Sequence, residues 1–315
     1  MKMKDIIPQY VSYRQSLGEK FKTNASILQC FLRHVGREVE IDVLGIETCT
    51  AFLYAPAGKV TANWFCKYTA LKGLFEWAVI REYVTGIPLP AEKPKRPQGM
   101  TPYIYSGEEL KRLFSAALTF RKNRSRTCPE CIRMILMLTY MLGLRLHETV
   151  SLKLEDIDFA NCFVHINESK FYKSRIVPFN NTVQGLLTGF MDWRKQNKLP
   201  QNADSSLFTD SKGTPVCIGT VRGCFKRIRS KAGILRNKDS VYQQRIHDLR
   251  HTFAINRLTS WYREGKDVQK MLPLLSTFLG HKHLAHTSIY LAMTDNLLEE
   301  ANSRFESYVN NESHG

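Results

Sequence analysis

The sequence predicts a mainly α protein of two domains, the second of which carries one small antiparallel β-sheet. Apolar residues recur at spacings of three and four along most of the chain. A proline-rich charged stretch interrupts them near residue 95, and a strand-like period appears only between Asn161 and Phe179. With 315 residues, 43% of them hydrophobic, the chain is long enough to bury a core in each domain.

In chain order, helices are expected at Ile6–Leu17, Asn24–Val35, Gly45–Leu53 and Thr61–Arg81. The last places Trp64, Tyr68, Leu71, Phe75 and Val79 on one face, an apolar stripe that belongs in a core. From Ile87 to Pro102, five prolines mixed with Lys93, Lys95 and Arg96 preclude a helix interior, so a first domain of residues 1–95 and a linker of 96–105 are expected. Ser106 followed by Glu109 reads as a capping box that opens the second domain, 106–315. Helices follow around Cys131–Leu142 and His147–Leu152, broken at Gly143. Asn161–Asn167 and Ser174–Phe179, rich in β-branched and aromatic residues, predict a hairpin with Lys170 near its tip. Helical patterns return at Val183–Gln196, Thr220–Ala232, His247–Arg263 and Val268–Phe278. The tail from Asn296 to Val309 carries Leu297, Leu298, Phe305 and Val309, which suits docking on a neighbouring protomer and packing on its own domain equally.

Lysine and arginine outnumber aspartate and glutamate by 45 to 29, a surplus of +16 that points to a polyanionic partner. Residues 1–99 hold 14 basic and 9 acidic side chains and the remainder 31 and 20, so most of the excess lies in the second domain. Between Arg222 and Arg250, nine basic side chains meet only Asp239 and Asp248, a concentrated patch whose plain alternative is a solvated helix face. The N-terminus lacks a continuous apolar run and no segment is long enough to span a bilayer, so no membrane association and a cytoplasmic location are expected. The eight cysteines are scattered as reduced thiols would be. Only Cys128 and Cys131 have metal or redox spacing, and they lack a second such pair or a nearby pair of histidines. With no Walker loop and no acidic metal cluster either, neither metal nor cofactor is expected.

Read one at a time, the polar residues in apolar surroundings admit plain readings. Arg145 follows the run Met134–Leu144, and a buried guanidinium there needs an anion, whether Glu148 in a structural ion pair or a phosphate. His247 and Arg250 open a helical segment; positions i and i+3 share one face, so imidazole and guanidinium can converge on one phosphate. His251 beside them reads as a packing residue. Leu279-Gly280-His281 ends a helix, and Tyr290 nine positions later reads on its own as a buried tyrosine. Lys170 alone is an exposed turn lysine.

Their order changes the reading. Arg145 in YMLGLRLHETVSLKLEDID, Lys170 on a hairpin, His247 and Arg250 in HDLRHTFA, and His281 and Tyr290 in LGHKHLAHTSIY together resemble the tyrosine recombinases, the family of Xer-type recombinases and phage integrases. The match spans Ser106 to about Met293, and the first domain is similar in length and helicity to the family's helical core-binding (SAM-like) domain. The resemblance implies a two-domain clamp on double-stranded DNA carrying specific recombination sites, with four identical or related protomers exchanging strands through a Holliday junction. It implies Tyr290 as the nucleophile of a 3′-phosphotyrosyl intermediate, and Lys170 as the acid that protonates the leaving 5′-oxygen. Arg145 and Arg250 would bind the phosphate, His247 would assist the tyrosine proton and His281 would hydrogen-bond the phosphate.

The chemistry is consistent with that set, since attack on a phosphodiester needs its developing charge neutralised by paired N–H donors. Three departures qualify the resemblance. His247 and His281 stand 34 positions apart, longer than in compact Xer-type chains, which predicts a lengthened helix pair across RLTSWYREGKDVQKMLPLLSTF. His147 occupies a position where a small residue is common, and the chain is expected to open directly at the core-binding region, with no separate arm-site domain. Integration or excision of a mobile element is the expected role. Xer-like chromosome dimer resolution, a type IB topoisomerase-like enzyme, a non-catalytic DNA-binding regulator and an RNA-binding protein are the alternatives.

Overall fold

A computed structural model describes residues 1–54, 58–97, 101–120, 125–167, 174–236, 242–291 and 293. The chain divides into two compact units, Met1–Met100 and Thr101–Gly315.

The first unit is built from α1 (Met3–Ser16), α2 (Lys22–Val35), α3 (Ile46–Leu53) and α4 (Ala62–Ile80). Helix α1 starts ahead of the expected Ile6 because a bridge between Lys2 and Glu40, and a hydrogen bond from the Met3 N–H to the Val39 carbonyl (2.8 Å), hold its entry. The α4 stripe is core as expected for Trp64, Tyr68, Leu71 and Phe75, while Val79 is only half-buried. Trp64 stacks on Tyr68 with ring centroids 5.2 Å apart. The proline-rich segment packs back onto this helix. The Tyr68 hydroxyl donates to the Pro90 carbonyl (3.2 Å), the Lys93 ammonium lies 4.7 Å from the Tyr68 ring, and the Arg96 guanidinium lies 4.9 Å from the Phe65 ring.

In the second unit α5 (Gly107–Thr119) opens on the predicted capping box. The Glu109 N–H donates to the Ser106 hydroxyl (3.1 Å), and the Ser106 N–H to the Glu109 carboxylate (2.8 Å). Helix α6 (Pro129–Met141) begins two residues before Cys131, because Pro129 fits the first helical position, where a missing N–H costs nothing. Both cysteines of the Cys128/Cys131 pair are buried at this helix start. Ile132, Ile135, Leu136 and Leu138 are fully buried, so α6 is apolar on nearly every side and runs through the core against α5 and α10. Helix α7 (Leu146–Val150) follows.

The sheet has the order β1-β2-β3 with antiparallel neighbours: β1 (Ile157–Asp158), β2 (Phe163–Ile166) and β3 (Arg175–Pro178). The hairpin follows the expected segments, whereas β1, two residues long, shows no period of its own in the sequence. Register sets Val164 opposite Val177, both buried, and His165 opposite Ile176, both exposed, so one face of the hairpin meets the core. Then come α8 (Asn181–Gln196), α9 (Ile218–Lys231), α10 (His247–Arg263), α11 (Val268–Leu279) and a short helix over 285–291. The long stretch between His247 and His281 is therefore a helix pair, α10 and α11, joined by the turn at Gly265. Lys170 and the tail from Asn296 to Val309 lie outside the described residues. No helix among the described residues is long and apolar enough to cross a membrane.

Candidate active site

Two helix ends organise the site. Helix α6 runs out at Gly143 (φ +57°) and α11 is capped by Gly280 (φ +66°), both in the left-handed region that favours glycine. Each glycine also leaves room for a neighbour. A Cβ at Gly143 would stand 2.5 Å from the Phe253 ring, and one at Gly280 would stand 2.9 Å from Nη1 of Arg175. The last carbonyls of a helix have no partner within it and carry the negative end of its dipole. At α11 those carbonyls are taken by three guanidinium groups. Arg175 Nε donates to Phe278 O (2.9 Å), Arg250 Nη2 to Leu279 O (2.6 Å) and Arg145 Nη2 to Gly280 O (2.7 Å). Arg250 Nη1 also donates to Gly143 O (2.8 Å), which fastens the end of α6 to the end of α11.

Glu148 is the anion among these cations. Its side chain, 3% exposed, accepts from Nη1 of Arg145 (2.7 Å) and from both terminal nitrogens of Arg175 (3.0 and 2.9 Å). It also accepts the Arg145 backbone N–H (2.9 Å), which caps α7. Burial alone would push this carboxyl up, but the Arg175 and Arg145 contacts outweigh it and hold its pKa at about 2. Arg250 is 1% exposed, and both its burial and the neighbouring Arg145 charge oppose its protonated form. Three guanidinium groups around one carboxylate leave a net positive cluster, with Arg145 the most exposed of them at 25%.

The phenol lies beside this cluster. Tyr290, on the short helix 285–291, is 3% exposed, and its hydroxyl is 2.8 Å from Nδ1 of His251. Burial raises its pKa, which the Arg250 and Arg145 charges partly offset. His251 sits one helical turn from His247 on α10, their rings edge to face at 4.6 Å. His281 follows the Gly280 cap, contacts Thr287 through Nδ1 (2.7 Å) and stacks beside the Tyr290 ring with centroids 6.3 Å apart. All three imidazoles are neutral near pH 7. Burial first and positive or imidazole neighbours second bring His247 and His251 down to about 4 and His281 to about 3.

Of the residues singled out from sequence, Arg145, His247, Arg250, His281 and Tyr290 come together here, and Lys170 lies outside the described residues. The imidazole on the phenol is that of His251, which sequence reading assigned to packing, and not that of His247. Positions i and i+4 share a helix face as readily as i and i+3, so the HDLRH word held no means of choosing between them. The ion pair of Arg145 with Glu148, the plain reading of that arginine, is present within the site itself. Arg175 was missed altogether, because nothing local to SRIVPF marks a partner 103 residues away.

The basic run from Arg222 to Arg250 is not one solvated face. Arg222, Lys226, Arg227 and Lys231 are exposed, but Arg229 is buried and donates to the Gln244 carbonyl, and Arg250 belongs to the site. Among the described residues, no group of three or more His, Cys, Asp or Glu is placed to hold a metal ion.

The model of the phage integrase family matches residues 105–296. The putative integrase/recombinase y4rB of Sinorhizobium fredii is 32% identical over 95% of this chain and 96% of its own length. The tyrosine recombinase XerA of Pyrococcus horikoshii is 28% identical over 74% of this chain and 70% of its own. Among solved structures, XerH recombinase in a post-cleavage complex with its difH substrate is similar with a TM-score of 0.62 at 23% identity, over 92% of this chain and 80% of that one. A lambda integrase dimer bound to a core site gives 0.65 at 19% identity, over 90% and 96%. At such identities the two structures speak to fold, while the family match and the y4rB relative cover enough sequence to place the protein: the chain belongs to the phage integrase family.

Proposed function

We propose that the protein is a site-specific tyrosine recombinase that cuts and rejoins double-stranded DNA through a covalent bond between the Tyr290 oxygen and a 3′-phosphate. The observation that carries this reading is a phenol hydrogen-bonded to a neutral imidazole at the edge of a net positive cluster that includes Arg145 and Arg250. In the scheme, Arg145 and Arg250 donate to the non-bridging oxygens as charge develops there. The Tyr290 oxygen attacks phosphorus and its proton passes to Nδ1 of His251, while His247 supports that imidazole from the previous turn. The bond from phosphorus to the 5′-oxygen breaks, and Lys170 gives that oxygen its proton. His281, its Nδ1 engaged with Thr287, turns Nε2 to the phosphate. A scissile phosphate also supplies the negative charge that would raise the depressed imidazole pKa of His251 and make it a better base. One phosphodiester is exchanged for another, so the reverse reaction reseals DNA and the scheme calls for no nucleotide.

In this reading Met1–Met100 is the core-binding domain, Thr101–Gly315 is the catalytic domain, and protomers act as a homo- or hetero-tetramer on DNA in the cytoplasm, at the nucleoid of a prokaryote. The integrase names of the relatives that match nearly the whole chain favour movement of a mobile element over chromosome dimer resolution. A lambda integrase tetramer bound to a Holliday junction has the same fold, with a TM-score of 0.63. The test is a nicked suicide substrate, from which the short strand diffuses away after cleavage. Peptide mapping should find DNA on Tyr290, and Tyr290→Phe should bind the duplex without forming an adduct. An adduct at another residue, or cleavage by the phenylalanine variant, would overturn the assignment.

A further inference from the structure

Arg175 leads strand β3, outside every motif that marks the site, yet it ties three of the site's parts together. Its terminal nitrogens hold Glu148 in a bidentate pair (3.0 and 2.9 Å), its Nε holds the Phe278 carbonyl (2.9 Å), and the guanidinium fills the space a side chain at Gly280 would need. It is 10% exposed, with the Arg145 guanidinium across the shared carboxylate from it. The consequence is electrostatic. Glu148 carries one negative charge, and while Arg175 matches it, the charge of Arg145 remains available to a phosphate. Without Arg175, that buried carboxylate keeps the Arg145 guanidinium at 2.7 Å and that of Arg250 at 3.9 Å, and competes with the phosphate for both. The second consequence is geometric, since the Phe278 carbonyl and the space beneath Gly280 define the turn from which His281 projects.

We infer that Arg175 is a positioning residue for the recombination reaction. It neutralises Glu148 and fixes the end of α11, and through these it sets Arg145 and His281 around the scissile phosphate. This rests on the recombinase reading, and on no contact of Arg175 with DNA. A lysine cannot replace it, because a single ammonium cannot span the two carboxylate oxygens and the carbonyl in one planar fork.

The test compares wild type, Arg175→Lys, Arg175→Gln and Arg175→Ala in the full chain, measuring duplex binding and single-turnover formation of the Tyr290 adduct on a nicked substrate. Two forms of the substrate are used, one with an ordinary scissile phosphate and one with a methylphosphonate, which has no charge to neutralise. Binding should stay within a few-fold for all variants. Adduct formation on the phosphate should fall by about 10²-fold, the scale of a misplaced catalytic group, in the lysine variant as well as the others. On the methylphosphonate the gap between wild type and variant should shrink to a few-fold. The glutamine variant, which keeps bulk and a donor, serves if alanine unfolds the chain. Equal deficits on both substrates would make Arg175 a scaffold residue only, and full activity in Arg175→Lys would remove the fork argument; either result overturns the inference. Absence of a wild-type adduct at Tyr290 would instead overturn the recombinase reading.

Discussion

In Met1–Met100 the buried side chains are Trp64, Phe31, Phe75 and residues like them, and every buried residue described there is of the hydrophobic class. In Thr101–Gly315 the interior takes in Glu148, Arg194, Arg229, Asp248 and Arg250 as well as its own apolar core. Burying a charge is unfavourable unless it is paired and hydrogen-bonded, so a fold with an apolar solution available and charges inside has been shaped by something besides stability. Not all of these charges serve the site. Arg194 donates to the carbonyls of Leu207 and Pro200, and Arg229 to that of Gln244, which fasten loops. Glu148 and Arg250 meet at the ends of α6 and α11, where the phenol also lies. The first unit is arranged to persist, and the second to hold positive charge in a dry place.

That contrast can be broken most directly at Arg250. Arg250→Ala should lower adduct formation by about 10²- to 10³-fold while leaving most duplex binding, because its donors act on charge that develops in the transition state. If binding and thermal stability fall as far as activity does, Arg250 is a structural strut like Arg194, and the distinction within the second unit disappears. The complementary change is Trp64→Ala, which should cost about 3–5 kcal/mol in denaturant titration, since it empties a large part of the first unit's core. Cleavage per folded molecule on a saturating substrate should survive it.

Acid should separate the units further. His247, His251 and His281 have folded pKa values depressed from 6.5 to about 4, 4 and 3, so they bind fewer protons folded than unfolded. Their contribution to stability is complete above pH 6.5 and is lost as pH falls through 4 and then 3. Glu148, depressed from 4.5 to about 2, adds its own loss below pH 4.5. Hydrogen exchange resolved by segment should therefore show α10 and α11 losing protection between pH 6.5 and 4 before α4 does, and His251→Gln should flatten that slope. The smallest effect belongs to an exposed pair within one helix: Lys111→Ala breaks its contact with Glu108 (2.7 Å) and should leave melting and cleavage unchanged.

What the sequence made legible follows the range of the interaction responsible. The capping box at Ser106, the αL ends at Gly143 and Gly280 and the α4 stripe up to Phe75 are set by residues within a turn or two of one another, and they stand where expected. The hairpin was legible for the same reason, through the strand-like period of the two segments that pair. Arg145, Arg250 and Tyr290 were marked as a set by their order along the chain, which carries no coordinates. What the order left out is how they are held. The bidentate pair of Arg175 with Glu148 joins residues 27 apart, and the choice of His251 over His247 depends on where a phenol from another helix arrives. Both are decided by tertiary packing, to which local periodicity is blind.

The anchoring of Arg250 has a consequence for how the chain can drift. The acceptors of its two terminal nitrogens, Gly143 O and Leu279 O, are main-chain atoms. A carbonyl is present whatever side chain its residue carries, so substitution at 279 can erode packing without deleting the bond. Pairwise covariation would accordingly return little signal between Arg250 and the positions that hold it, since no side chain there must change in step with it. The constraint is displaced onto backbone course, and it falls on Gly143 and Gly280, whose dihedral angles and crowded surroundings both resist a side chain. A survey of tolerated substitutions should find this site's structural memory in two glycines rather than in the residues bonded to its arginines.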